Sequence, residues 1–261
     1  MERTLRLGRN PTRWTTQNLR KAHRIQMTMN ALPPPPAVSA DFMAAVFRHT
    51  KGNWGMFLND QLGDCVPADT GHELMLRTAN TGVFLRPTNN DILKLYEAVG
   101  KYVPGDPATD QGCEEGAMCQ YMVDTGLLGH KSIDYAAIAT VVIDTAAITR
   151  IKWGIQLFGC VRLGVNLPQS AEDQFNAGQE WTVSGDATIL GGHGIPAVKY
   201  DTEGVWLVTW GKRIKASWQW LMTYGEEAWG EIYPDFIRSN GLSPDGFSLA
   251  QLIADLKEIA R

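Results

Sequence analysis

The sequence predicts an α+β protein whose helices come first and whose strands come second. Three observations carry that expectation. Apolar residues recur at helical spacing through residues 41–150. The period changes to strand-like alternation near Cys160, and nothing resembling a linker follows the proline run at 33–36. Two segregated halves leave a cleft between them, a common place for a ligand.

The elements follow in order. Residues 1–31 read as an arm with helical tendency near Gln17–Met29, and Pro33, Pro34, Pro35 and Pro36 enforce an extended segment. This marks a boundary, with an arm and linker at 1–36 and one domain at 37–261. Asp64-Cys65-Val66-Pro67 reads as a helix start, since Asp caps well and Pro suits the first turn. That helix should stop before Gly82. Further helices are expected at Asn89–Val99, capped by Thr88, and at Glu114–Asp124, Asp134–Asp144 and Ile148–Phe158. These make a helical half at about 37–150. A β-rich half at about 155–240 follows, with strands at Cys160–Leu167, Gly194–Tyr200 and Val205–Thr209. Trp218–Tyr224 fits helix or strand, and Leu249–Ile259 reads as a terminal helix within 247–260.

Composition narrows the class. The 261 residues are 44% hydrophobic and 20% charged, which excludes a disordered chain. No apolar run approaches the ~20 residues of a membrane span, and residues 1–30 lack the apolar core of a secretory signal. The four cysteines form no CxxC pair, so free thiols in a non-secreted protein are expected. No metal-ligand spacing and no phosphate-binding loop is present, so no metal or cofactor is expected. The net charge is −4, yet residues 1–30 hold seven basic groups and one acid. A basic arm on an acidic body suits an acidic partner, an assembly neighbour or its own domain. The pairs Glu114-Glu115 and Glu226-Glu227 read as solvated faces.

The chemistry starts at Cys65. The helix start would stabilise a thiolate and raise its nucleophilicity at neutral pH, although a lone cysteine is more often a buried structural thiol. Its base must come from the histidines. His72 lies about two helical turns, ~10.5 Å, from Cys65 and cannot reach it. His193, in Gly191-Gly192-His193-Gly194 before a strand, stands where neighbouring glycines permit close approach.

Four segments in order then resemble the papain-like cysteine peptidases. Asn59-Asp60-Gln61-Leu62-Gly63-Asp64-Cys65 is similar to the nucleophile segment. Asp110-Gln111-Gly112-Cys113-Glu114-Glu115-Gly116 is similar to the Asn-Gln-Gly-Cys-x-Gly-Gly loop. Gly192–Tyr200 is similar to the histidine strand, and Val208-Thr209-Trp210-Gly211 to Asn-Ser-Trp-Gly. The resemblance implies a two-lobed fold, helical in its N-terminal half and an antiparallel barrel or sheet in its C-terminal half. It implies peptide or amide cleavage by Cys65 and His193, with Asn59, or Gln61 as backup, donating to the oxyanion. Gly63, Asp64, Gly116, Gly192 and Trp210 fall at substrate-binding positions, and Trp210 would shield the histidine. Counting back from Trp210 places Val208 where the orienting asparagine belongs. Thr209 substitutes only if the register differs by one. That departure leaves a second reading open, a catalytically degenerate structural or binding protein in an assembly such as a virus particle. A third reading makes residues 1–31 a propeptide-like inhibitor of the cleft.

Overall fold

The computed structural model describes residues 5–185, 188–237, 242, 243 and 248. Helix α1 spans Thr16–Asn30, α2 Met43–Thr50, α3 Cys65–Thr81, α4 Asn89–Gly100, α5 Glu115–Asp124, α6 Thr145–Phe158, α7 Gln169–Asn176 and α8 Trp218–Tyr224. Strands β1 (Arg9–Asn10) and β2 (Cys113–Glu114) form a short parallel pair. Six antiparallel strands, β3 (Asp134–Ala139), β4 (Val161–Pro168), β5 (Ile189–Tyr200), β6 (Gly204–Thr209), β7 (Lys212–Ser217) and β8 (Gly225–Ile232), form one sheet in the order β3-β8-β4-β5-β6-β7.

The site is positioned by α3, whose residues Cys65–Ala79 are all buried. It packs against α2, α4, β5 and β6. A helix buried all round needs internal partners for its charges. Arg162 on β4 supplies them. Its guanidinium meets Glu73 and Glu115 at 2.9 Å, and Asp69 and Glu231 at 3.5 Å. These bonds tie α3, α5, β4 and β8 into one body.

The helix expected at Asp134–Asp144 does not form: the chain makes β3 at Asp134–Ala139, and α6 begins only at Thr145. Alanines 136, 137 and 139 favour helix locally. On β3 they let α1 and α6 pack close against the sheet, and that burial outweighs the propensity. The reading of both acidic pairs as solvated also fails, because Glu115 and Glu227 are buried. Trp218–Tyr224 is a helix, capped by the Ser217 hydroxyl. Asp64 occupies the N-cap of α3 but its side chain caps nothing. The terminal helix expected at Leu249–Ile259 lies outside the described residues.

The basic arm lies on the body. Helix α1 packs on β3 and α6, Trp14 stacks on Trp229 at 5.1 Å, and Lys21 pairs with Asp134. The first residue of the proline segment after α1, Pro33, accepts a hydrogen bond at its carbonyl from Trp153 Nε1 at 2.9 Å. Among the described residues no helix is long and apolar enough to cross a membrane.

Candidate active site

Cys65 is the first residue of α3. Its Sγ accepts a hydrogen bond from the Gly194 N–H at 3.4 Å, the peptide directly after His193. A second N–H, from Gly8 of the arm, also reaches the sulfur. The sulfur is therefore one peptide away from the histidine's own place on β5.

His193 is fully buried. Its Nε2 lies 2.7 Å from Thr209 Oγ1 at the end of β6. With the ring proton on Nε2, the imidazole donates to Thr209 and Nδ1 carries a bare lone pair. Nδ1 is buried and has no hydrogen-bond partner. Trp210 stacks on the ring at 4.8 Å and 20°, and is itself wedged edge-on by Phe175 and Trp181.

The local sequence explains why Thr209, rather than Val208, meets the histidine. Thr209 pairs with Lys212, so Trp210-Gly211 is a two-residue hairpin turn. Both residues have positive φ, 46° and 75°, as a primed turn requires. Glycine adopts that conformation freely, whereas for tryptophan it costs about 1–3 kcal/mol. The strain is held by the Trp54 N–H, which donates to the Gly211 carbonyl at 3.1 Å. Val208 points the other way, into the core.

Asn59 is buried, and its Nδ2 donates to the Arg6 carbonyl of the arm at 3.2 Å. Gln61 is exposed. The Gly63 N–H is held by Asp110 Oδ1 at 2.9 Å, and Tyr96 donates to the same oxygen at 2.7 Å. Sequence reasoning missed this Tyr96–Asp110 brace between the two loops. Asp64 is buried beside Cys65, and burial holds its carboxyl well above the usual range. His72 stays in the core, its Nε2 2.9 Å from the Gly55 carbonyl oxygen, and His130 pairs with Asp235.

The arm runs straight through this site. A Cβ on Gly8 would stand 1.7 Å from the Gly63 carbonyl oxygen. The Cys113 N–H donates to the Gly8 carbonyl at 2.8 Å, and β1 continues beside β2. A Cβ on Gly192 would stand 2.1 Å from the Arg9 carbonyl oxygen. The Gly116 N–H donates to Thr12 Oγ1 at 3.2 Å. Asn59, Gly63, Cys65, Gly116 and Gly192 are thus brought together, and residues 6–12 cover all five.

This cover sets the electrostatics. Burial pushes the Cys65 thiol up to about 12, and the nearby Glu115 and Asp64 carboxyls add to the shift. Burial, together with the Arg9 charge, pushes His193 down to about 3. The closed site holds a neutral thiol and a neutral imidazole.

No family model matches the sequence, and no curated protein matches it. Solved structures do. Xylellain, a cysteine protease from Xylella fastidiosa, superposes with a TM-score of 0.56 at 14% identity, over 89% of this chain and 97% of that one. ProCathepsin B S9 from Trypanosoma congolense gives 0.53 at 13%, over 88% and 87%. A digestive procathepsin L2 proteinase from Tenebrio molitor larval midgut gives 0.52 at 12%, over 88% and 84%. The chain has the papain-like cysteine-protease fold.

Proposed function

We propose that this protein is a cysteine peptidase or related thiol hydrolase, with a catalytic domain at 37–261 that its own arm, 1–36, holds closed. One observation carries the reading. His193 has Nε2 fixed by Thr209, Nδ1 buried without a partner, and the next peptide N–H on Cys65 Sγ. A bare imidazole lone pair on the residue whose following N–H holds a thiol at a helix start is an arrangement from which nucleophile activation can proceed.

In the open enzyme Cys65 gives its proton to His193 Nδ1 and the sulfur attacks the scissile carbonyl carbon. The carbonyl oxygen becomes an oxyanion, stabilised by the Cys65 N–H and Asn59 Nδ2, which now donates to Arg6. The C–N bond then breaks and the imidazolium protonates the leaving amine. Water, deprotonated by the same imidazole, attacks the thioester and releases the acid and the thiol. Thr209 keeps the ring proton on Nε2 throughout. The closed form disfavours the first step, because burial keeps both partners uncharged. Moving the arm admits water and removes the Arg9 charge from His193.

Gly8→Val tests the reading in the full chain, since a side chain there collides with the Gly63 backbone. Cys65 should be alkylated by iodoacetamide at least tenfold faster in this variant than in the unmodified protein. Peptide-amide hydrolysis should appear and vanish again on Cys65→Ala. If the folded variant alkylates Cys65 no faster than a simple thiol and hydrolyses nothing, the enzyme reading falls. The degenerate binding protein is then left.

A further inference from the structure

Arg9 sends its side chain out of the cleft into a pocket of the sheet, where it is 1% exposed. Its Nη1 donates to Glu227 Oε1 at 2.7 Å. Its Nη2 donates to Glu226 Oε2, and to Asn166 Oδ1 at 3.4 Å.

These acceptors are aimed by the sheet rather than by the arm. Trp229 Nε1 donates to the other oxygen of Glu227 at 2.9 Å, and Asn166 Nδ2 to the other oxygen of Glu226 at 2.6 Å. Adjacent strand residues ordinarily face opposite sides. Here the β4–β8 register slips between Gly164 and Val165, and the irregularity turns both carboxylates onto one guanidinium. Gly164 leaves the space that the arginine stem fills. A Cβ there would lie 2.6 Å from Glu227 Cγ and 2.8 Å from Arg9 Cδ.

With the arm in place the Glu227 side chain is 3% exposed and pairs with Arg9, and displacing the arm takes that cation away. An unpaired buried charge is strongly unfavourable. Two carboxylates and an amide oxygen in one pocket match the planar fork of a guanidinium better than the point charge of an ammonium. The backbone that carries Arg9 lies between β2 and Gly192, beside His193. A side chain in this pocket therefore belongs to a peptide lying across the nucleophile.

We propose that Glu226, Glu227 and Asn166 form a guanidinium subsite of the cleft, that the peptides the enzyme cleaves carry arginine there, and that Arg9 occupies it as an internal mimic. The substrate class rests on the peptidase reading. The subsite itself needs only a peptide-binding cleft.

The test separates the two. In a full chain carrying Gly8→Val and Cys65→Ala, a fluorescent peptide of the arm's residues 5–14 is titrated by anisotropy. The same peptide with citrulline or lysine at the Arg9 position is titrated beside it. Arginine should bind at least tenfold tighter than citrulline, with lysine between, and Glu227→Gln should bring the arginine-to-citrulline ratio near one. Equal affinity, or no binding of either peptide, overturns the subsite. Hydrolysis by the Gly8→Val chain is then compared on arginine and citrulline peptides. Selective binding without turnover keeps the subsite and rejects the peptidase. Turnover without arginine selectivity does the reverse. A second measurement avoids Gly8. The thermal midpoint of Arg9→Ala should rise with millimolar ethylguanidinium and not with ethylurea, and an equal response to both also overturns the subsite.

Discussion

At the scale of single residues, Cys65 was legible because it begins α3, whereas His193 stood out by its flanking glycines and lies inside β5, which starts earlier, at Ile189. A helix N-terminus and a run of glycines are local signals. Thr209 was half legible, since its contact depends on the length of the turn after it. The Trp210-Gly211 hairpin settles that register and turns Val208 into the core. Thr209→Val keeps the shape and leaves His193 Nε2 unpaired, which costs about 1–3 kcal/mol for a buried polar group. In the Gly8→Val background it should lower kcat roughly 10–100-fold by that magnitude, and Thr209→Ser should recover most of it. Equal kcat values for valine and threonine would remove Thr209 from the mechanism. Glu227 was not legible, because the register slip that brings two neighbouring acids to one face leaves no trace in the composition of the strand.

At the scale of elements, the strongly patterned segments came through. The helices at Cys65, Asn89 and Ile148 and the strands at Cys160, Gly194 and Val205 all form. The failure at Asp134 shows the limit of local reading. A run of alanines suits a helix until two helices need a thin strand between them. Arg162 is the other element-scale feature hidden in the sequence, a single cation joining four elements. Arg162→Met would take the ion-pair partner from Asp69, Glu115 and Glu231, while Glu73 would keep Arg77. Breaking such a pair typically costs 3–5 kcal/mol, so the denaturant midpoint should fall by an amount equivalent to roughly that loss. A loss below about 1 kcal/mol, the size of a surface ion pair, would show that the cluster is already neutral.

For the whole molecule, the buried groups decide how stability follows pH. Burial holds Glu115 and Glu231 to about 7, and raises Asp64 and Asp69 as well. The folded state keeps protons on these groups that the unfolded chain sheds, so stability falls as pH rises from the ordinary carboxyl range towards 7. His72 and His193, pushed by burial to about 4 and about 3, act in the opposite sense below their ordinary value of 6.5. The four carboxyls outnumber the two imidazoles, so the denaturant midpoint should be higher at pH 5 than at pH 8. A rise in stability over that interval would show that the cluster is ionised throughout. The arm's basic charge was plain from composition. Its destination was not, because the residues that receive it are spread over α3, β2, β4, β5 and β8.

Residues 6–12 are joined to α1 by a few residues of chain and α1 is packed on the sheet, so the segment that covers the cleft never diffuses away. A tether that short keeps its local concentration in the millimolar range. Each contact in the cleft can then be individually weak. A free peptide must outcompete a neighbour that is always present, while one backbone cut between Thr12 and Thr16 would abolish that advantage at once.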